Sequence, residues 1–196
     1  MNRLEIFRTH NAVRLPSFAT SQSACFDLPF FSYGKGTYTV YNKNNARVER
    51  NFSNGNIHIM PGERILVPTG LILDIPEGYS VRVHARSGTS LKQGLVLVNS
   101  EGIIDSDYID ELFVLVTNIS DNGQWINNGD RIAQAEMVVQ EKYEIIEAAR
   151  KPFPKTNRIG GMGSTGVVTL RIPEELPTIN VERRGRGRPK KVDNTY

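Results

Sequence analysis

The chain has 196 residues, of which 39% are apolar and 23% are charged, which is the composition of a globular domain with one sizeable core. Residues 1–166 carry 17 basic and 17 acidic side chains, so the net charge of +3 arises entirely in the last 30 residues. These figures argue against a fibre, a coiled coil and a strongly basic folded body.

Cysteine and histidine usage is the second compositional signal. Cys25 is the single cysteine, which excludes an intramolecular disulfide, and His10, His58 and His84 lack the spacing of zinc ligands. We therefore expect no metal–thiolate site. No apolar run approaches the roughly 20 residues of a membrane span, and the first residues lack a signal-peptide pattern. The sequence predicts a cytoplasmic protein without a membrane anchor, in the host cytoplasm if the source is viral.

The first third of the chain predicts short strands and one insertion. Extended stretches over residues 4–31 are interrupted by Pro16 and Pro29, which is typical of strands joined by loops. A polar segment over 32–56, rich in Asn, Lys and Arg, predicts a surface hairpin or a mobile insertion. We assign no chemistry to this insertion.

Strand signals are dense from Ile57 onward. Pro and Gly separate most of the apolar stretches, and the predicted strands are 57–60, 64–67, 71–75, 80–84, 95–98, 112–116 and 132–139. Helix is indicated weakly, as one turn at most over 89–93 and as one interpretation of 141–150. A strand about every ten residues, without a long amphipathic helix, predicts an all-β sandwich or barrel.

Two segments after predicted strands could carry chemistry. Ala85-Arg86-Ser87-Gly88 could gather backbone amides, a hydroxyl and a guanidinium around one anion, although such turns are also common without a ligand. Gly102 to Tyr108 places two carboxylates and an aromatic ring between the strands at 95–98 and 112–116. Its Asp105 could hold and polarise a water and Tyr108 could press on a flat ligand, or the segment could be an ordinary polar hairpin tip.

Two further segments are rich in turn residues. Gly129 to Gln134 enters a strand and would, in its simplest interpretation, fix a loop through an Asp130–Arg131 pair. Residues 160–166 contain four glycines, which predicts either backbone amides that wrap phosphates in a mobile arm or a flexible linker.

Together and in this order, these segments resemble the five motifs of the trimeric dUTP pyrophosphatase (dUTPase) family, over residues 4–166. Ser23 to Leu28 is similar to the first motif, Arg86 to Gly88 to the second, and Gly102 to Tyr108 to the third. Gly129 to Gln134 is similar to the fourth motif, and Arg158 with 160–166 to the fifth. The resemblance implies a distorted jelly-roll or β-clip barrel over 1–151, a glycine-rich arm over 152–166 and a basic tail over 167–196.

The resemblance also implies an activity: Mg²⁺-assisted attack of water on the α-phosphorus of dUTP, giving dUMP and pyrophosphate, in a homotrimer with active sites shared between subunits. Asp105 would align the water, and Asp27 would hold Mg²⁺ through its coordinated waters. Substrate binding would involve Arg86, Ser87, Gly88, Asn99, Ile103, Ile104, Tyr108, Phe113, Gln134, Arg158, Met162, Gly163 and Ser164. Two residues depart from the family pattern, since Asp110 replaces a glycine and Met162 replaces the aromatic residue that stacks on uracil.

Two alternatives from other classes remain. A dCTP deaminase shares the expected fold, but it needs a glutamate base on the strand after the third motif, where 112–119 has no carboxylate. A DNA-binding or regulatory protein is indicated by residues 183–191, in which Gly-Arg-Pro is flanked by basic residues as in an AT-hook that lies in A·T-rich minor grooves. This basic tail could equally contact polyanions without specificity.

Overall fold

The computed structural model describes residues 3–157 and builds them mainly from strands. In chain order the elements are β1 (Glu5–Arg8), β2 (Phe26–Pro29), β3 (Thr37–Tyr41), β4 (Arg47–Asn51), β5 (Ile57–Ile59), β6 (Arg64–Pro68), β7 (Leu71–Asp74), β8 (Tyr79–Ala85), α1 (Ser87–Gln93), β9 (Leu95–Leu97), β10 (Gly102–Ile104), β11 (Phe113–Asn118), β12 (Gln124–Ile126) and β13 (Arg131–Val139). The predicted all-β fold with little helix is confirmed.

Two larger sheets share one core. The four-stranded sheet has the order β10-β8-β13-β2 and the five-stranded sheet has the order β4-β3-β6-β11-β9, while β1-β7 and β12-β5 form two-stranded sheets. Strands of both larger sheets alternate buried apolar residues with more exposed ones, and Leu28 and Val81 of the first join Val67 and Val114 of the second in one cluster. This double layer is the frame on which the loops and strand ends are held.

The polar insertion is a hairpin, as predicted, but it is more than a surface excursion. Strands β3 and β4 pair over their full length, and β3 also pairs with β6, so the hairpin forms one edge of the five-stranded sheet. Tyr38 and Val40 are buried in the common core. The sequence did not reveal this because the apolar residues of the segment are few and separated by polar ones.

A partly buried ion pair, in which Glu63 is the buried partner, fastens the hairpin to the loop before β6. Arg50 Nη1 donates to Glu63 Oε2 at 2.7 Å, and the Met60 N–H donates to the same oxygen at 2.9 Å. Burial by itself would raise the pKa of Glu63, but these hydrogen bonds and the Arg50 charge lower it below its ordinary value. The hydrogen bond to Glu63 likewise raises the pKa of Arg50. The charged form of the pair is therefore part of the fold.

Helix α1 follows β8 directly and is longer than the single turn predicted from the sequence. Arg86 is its N-cap residue in an extended conformation, and Gly94 ends it with φ 65°. A Cβ at Gly94 would lie 2.8 Å from the Ser120 Cβ, so both the backbone angle and the packing require glycine. The helix therefore begins immediately after the predicted anion-binding arginine.

The segment 98–112 is not the hairpin tip considered from the sequence. β9 pairs directly with β11, whereas β10 pairs with β8 in the other sheet. The chain therefore leaves one sheet, adds a strand to the other and returns. Local sequence could not indicate this, because the partner of β10 lies about twenty residues earlier in the chain.

The chain divides into one compact unit over residues 1–145 and a second that begins at Ile146. The part of the second unit that the structure describes, 146–157, contains neither helix nor strand, and the Arg150 guanidinium lies 4.9 Å from the Phe153 ring centre. Among residues 3–157, no helix is both long and apolar enough to cross a membrane.

Candidate active site

A cavity of about 620 Å³ lies where β10 and β11 meet the loop between them. Its polar wall contains Asn99, Asp105 and Tyr108, and its apolar wall contains Phe113 and Leu115. On β11 the residue between these two, Val114, is buried, so the outward face of this strand is apolar where an exposed sheet would carry polar residues. An apolar wall beside a few polar groups is typical of a small-molecule site.

The entry to β10 is shaped by a tight backbone. Ser100 adopts φ 60°, and a Cβ at Gly102 would lie 3.0 Å from the Val83 Cβ and 3.7 Å from the Asn99 amide nitrogen. Glycine at 102 therefore lets the chain pack closely against β8 with the Asn99 side chain beside it. Ile103 and Ile104, which follow on β10, also line the cavity.

Asp105 and Tyr108 are joined by a turn directly after β10. The Tyr108 N–H donates to the Asp105 carbonyl oxygen at 3.2 Å, and the Tyr108 hydroxyl donates to the Glu111 carbonyl oxygen at 2.8 Å. Burial raises the pKa of Tyr108, and the charges of Asp110 and Glu111 raise it further. Asp110, the departure from the family pattern, thus adds to the preference of Tyr108 for its protonated form.

Two residues beside this cavity were missed by the sequence analysis. Lys35, from the insertion, lies 2.7 Å from Glu111 Oε2 and 5.6 Å from the Phe113 ring centre. The other oxygen of Glu111 accepts the Gly70 N–H at 2.8 Å. Lys35 thus holds the segment between Tyr108 and Phe113, and no local pattern in 32–56 could have indicated a contact across 76 residues.

A second group of charged residues surrounds the Asp27 carboxylate. Arg86 Nε lies 2.7 Å from one oxygen, and Arg131 Nη1 lies 2.9 Å from the other. Arg86 Nη1 also donates to the Arg131 carbonyl oxygen at 3.1 Å. Two guanidinium groups thus converge at the start of α1, and Asp27 orients both of them.

The predicted Asp130–Arg131 pair does not form. Asp130 accepts from the Asn127 N–H at 2.7 Å and closes its own turn, while Arg131 pairs with Asp27. The reason is the antiparallel register, which sets Arg131 opposite Pro29 on β2 and brings Asp27 within its reach.

The remaining predicted phosphate-side residues lie close to Arg86. Gln134 pairs with Asp27 on β2 and donates through its side chain to the Ala85 carbonyl oxygen at 3.1 Å. Ser87 and Gly88 form the exposed first turn of α1, where backbone N–H groups have no helical acceptor. A cavity of about 330 Å³ beside them is lined by Arg86, Gly88, Lys92, Gln93 and Arg131, among others.

The two groups of residues lie apart within one chain. Ile104 pairs with Val81 near the start of β8, whereas Arg86 follows its last residue. At about 3.3 Å per residue, this separates Asp105 from Arg86 by about 20 Å. Arg158, Met162, Gly163, Ser164 and the basic segment 183–191 lie outside the residues that the structure describes.

Comparison with known sequences gives one consistent result. A sequence model of the dUTPase family matches residues 52–166. The deoxyuridine 5'-triphosphate nucleotidohydrolase of Finegoldia magna is 43% identical over 119 residues, which is 60% of this chain and 81% of that relative. The protein of the same name from Brucella melitensis biotype 1 is 47% identical over 112 residues, which is 56% of this chain and 69% of that relative.

Solved structures with the same fold include two phage dUTPases. The dUTPase of Staphylococcus bacteriophage 80alpha, solved with dUPNHPP, covers 85% of this chain and 100% of its own at a TM-score of 0.65 and 23% identity. A mutant of the dUTPase from phage phi11 of S. aureus, described with a structural Mg(II) ion, covers 78% of this chain and 100% of its own at a TM-score of 0.58 and 22% identity. At these identities the likeness shows the fold.

Proposed function

Because this chain belongs to the dUTPase family, we propose that it hydrolyses dUTP to dUMP and pyrophosphate, with Asp105 as the residue that activates the attacking water. The observation that carries this proposal is the cavity in which Asp105 and Tyr108 stand beside Asn99 and an apolar wall. A carboxylate next to a pocket that suits a sugar and a flat base is what hydrolysis of a nucleotide requires.

The nucleoside end of dUTP would occupy this cavity. Asn99 and the backbone of Ile103 and Ile104 would bind the uracil edge, and Phe113 would add apolar contact. Tyr108 would pack against the deoxyribose, where a ribose 2′-hydroxyl would clash. Its hydroxyl bond to the Glu111 carbonyl supports this role, because it fixes the ring before substrate binds.

The triphosphate would contact the group at the start of α1. Arg86 would offer the guanidinium N–H groups that are not bonded to Asp27 or to the Arg131 carbonyl oxygen. Ser87 and Gly88 would supply a hydroxyl and backbone N–H groups, and Gln134 an amide. Arg131 is a further cation at the triphosphate end of the site, and the sequence analysis did not include it among the substrate-binding residues. Its position beside Arg86 supports an anion site of high charge.

Asp27 fits the role of holding Mg²⁺ through water. Each of its oxygens accepts one guanidinium N–H and has two lone pairs, so each retains an acceptor for a magnesium-bound water. A direct bond to the metal would compete with both arginines. When bound there, Mg²⁺ would supply positive charge that offsets the negative charge of the phosphates.

In the chemical step, the water oxygen bonds to the α-phosphorus and the bond to the bridging oxygen of pyrophosphate breaks. Asp105 orients the water and accepts its proton. Arg86 and its neighbours stabilise the negative charge on the phosphates. For one site to contain both Asp105 and Arg86, the two residues must come from different subunits, which supports a homotrimer with shared sites.

The arm residues Arg158, Met162, Gly163 and Ser164 would complete the site over the bound nucleotide, with a thioether in place of an aromatic ring on uracil. A direct contact of 183–191 with A·T-rich DNA, and a cytoplasmic location, remain proposals from the sequence.

The decisive experiment measures pyrophosphate and ammonia release from dUTP, dTTP, dCTP and UTP. We expect pyrophosphate from dUTP with strong preference over the other three. Asp105→Asn should lower kcat by about 100-fold to 10,000-fold and leave dUTP binding nearly intact, because a general base contributes about that much. Asp121→Asn, an exposed aspartate in another loop, is the matched control. Ammonia release from dCTP, or an unchanged rate in Asp105→Asn, would refute the assignment.

A further inference from the structure

Three potential metal ligands meet on the outer face of the four-stranded sheet. Cys25 Sγ, a ring nitrogen of His84 and a carboxylate oxygen of Glu136 all lie within 4.8 Å of one another, and all three residues are partly exposed. They come from three strands or strand ends, at β2, β8 and β13. The sequence analysis expected no metal–thiolate site, because these residues are separated by 59 and 52 positions and form no linear motif.

The strand register explains why they meet. Gln134 pairs with His84 on β8 and with Asp27 on β2, and Ala135 pairs with Phe26. Continued by one residue, this antiparallel register sets Glu136 opposite Cys25. Side chains alternate along a strand, which places Cys25, His84 and Glu136 on the face opposite the core. The arrangement is therefore held by the backbone pairing of the sheet and not by a flexible loop.

The distances suit a tetrahedral metal ion. With metal–nitrogen and metal–oxygen bonds of about 2.0–2.1 Å and a metal–sulfur bond of about 2.3 Å, two ligands of one ion are about 3.3–3.6 Å apart. His84 Nε2 lies 3.2 Å from Glu136 Oε1, close to that range. The three ligand atoms lie up to 4.8 Å apart, so a small movement of the Cys25 or Glu136 side chain is needed to bring all of them to one ion.

A second observation concerns the other nitrogen of the same imidazole. His84 Nδ1 lies 3.7 Å from Glu101 Oε1, and Glu101 also lies 3.5 Å from Arg82. Histidine ligands commonly direct their remaining ring N–H toward a carboxylate, which sets the tautomer and leaves Nε2 free for the metal. Glu101 lies close enough to accept this N–H after a small side-chain movement.

We propose that Cys25, His84 and Glu136 bind one Zn²⁺ ion, with the fourth position open to water. A thiolate and an imidazole favour borderline and soft ions such as Zn²⁺ over Mg²⁺, which prefers oxygen ligands. The site is therefore distinct in chemistry from the Asp27 position, although both involve β2. A bound ion would link β2 to β13 and β8. Arg131 is the first residue of β13, and Arg86 directly follows β8.

Co²⁺ is a suitable probe, because the 196-residue chain has one cysteine and a thiolate-to-cobalt charge-transfer band can come from Cys25 alone. Metal-free protein in a non-thiol reductant is titrated with Co²⁺, and then with Zn²⁺ to displace it. We expect one Co²⁺ per chain with this band. Cys25→Ser should remove the band, and His84→Gln and Glu136→Gln should weaken binding at least tenfold.

Two controls separate this site from others. His58→Gln alters a histidine that lies beside Trp125 on a different sheet, and Asp27→Asn alters the proposed magnesium position. Both should retain the band. Absence of the band in wild type would overturn the proposal. So would Co²⁺ binding to His84→Gln with the same affinity as to wild type.

A thermal measurement keeps the proposal testable if a variant is less stable. Zn²⁺ binds the folded chain, so it should raise the melting temperature of wild type and His58→Gln at concentrations above its dissociation constant. An equal Zn²⁺-dependent shift in folded Cys25→Ser would overturn the proposal. These readouts are independent of dUTP hydrolysis, so they can fail or succeed without affecting the proposed activity.

Discussion

Asp105 and Arg86 lie at opposite ends of strand β8 in the same chain. The residue before Asp105 pairs with Val81, near the start of the strand, and Arg86 follows Ala85 at its end. The separation of about 20 Å exceeds what a water and the phosphorus that it attacks can span. The proposed mechanism therefore places the Asp105 and Arg86 of one chain in different copies of the site.

Lys35 should control how firmly the nucleoside is bound. Lys35→Met removes the cation from Glu111, whose side chain is 14% exposed, and loosens the segment that receives the Tyr108 hydroxyl. We expect KM for dUTP to rise about tenfold with little change in kcat, because a charged hydrogen bond contributes on the order of 1.5 kcal/mol. The preference for dUTP over UTP should fall as well, as measured by kcat/KM for both nucleotides.

Arg47→Met is the matched control for Lys35. It removes a basic residue of the same insertion, and the partner of that residue, Glu49, is 44% exposed. Steady-state kinetics of this variant should equal those of wild type. Equal KM values for Lys35→Met and wild type would show that the insertion does not position Tyr108.

Asp27 should set the magnesium requirement. Asp27→Asn removes the negative charge that both guanidinium groups contact. It also removes one oxygen acceptor for magnesium-bound water. Changes to such outer contacts typically weaken metal binding about 10-fold to 100-fold, so the Mg²⁺ concentration for half-maximal rate should rise by that factor. Chelation of Mg²⁺ should lower the rate of wild type. An unchanged Mg²⁺ dependence in Asp27→Asn would remove Asp27 from this role.

The Arg50–Glu63 pair should make the hairpin sensitive to acid. The folded-state pKa of Glu63 is below its ordinary value of 4.5, so its contribution is present above about pH 4.5 and is lost as the pH falls through the folded-state pKa. At neutral pH, Glu63→Gln should lower the free energy of unfolding by about 1–3 kcal/mol, since it leaves a hydrogen-bonded charge without its partner.

This effect is measured by denaturant unfolding at several pH values. The difference between wild type and Glu63→Gln should shrink below pH 4.5. Glu49→Gln, which alters an exposed pair in the same hairpin, should change stability little at any pH. A constant difference for Glu63→Gln across the range would contradict the linkage.

Much of this fold could be predicted from local pattern. Pro and Gly delimit the strands from Ile57 onward, and the alternation over 80–84 indicated the half-buried β8. Arg86 was expected after a strand and before a helical turn, and it lies there, because both signals are local. The length of α1 depended on Gly94 and its packing on Ser120, which the local pattern did not indicate.

Long-range pairing accounts for what the sequence missed. The register of β2 with β13 joins Asp27 to Arg131, and it also brings Cys25 to Glu136, across more than a hundred residues in each case. Lys35 reaches Glu111 from an insertion that resembles a polar surface loop. None of these contacts has a periodicity or spacing that a single sequence displays.

The central claim, a site shared between subunits, is tested most directly by mixing two inactive variants. Chains with Asp105→Asn and chains with Arg86→Gln are unfolded, combined in equal amounts and refolded, and mass spectrometry verifies that mixed oligomers form. If each site takes Asp105 from one chain and Arg86 from another, about one quarter of the sites in random trimers contain both residues. We predict recovery of about a quarter of the wild-type rate of pyrophosphate release from dUTP. Mixed oligomers that remain as inactive as either variant alone would contradict the shared site.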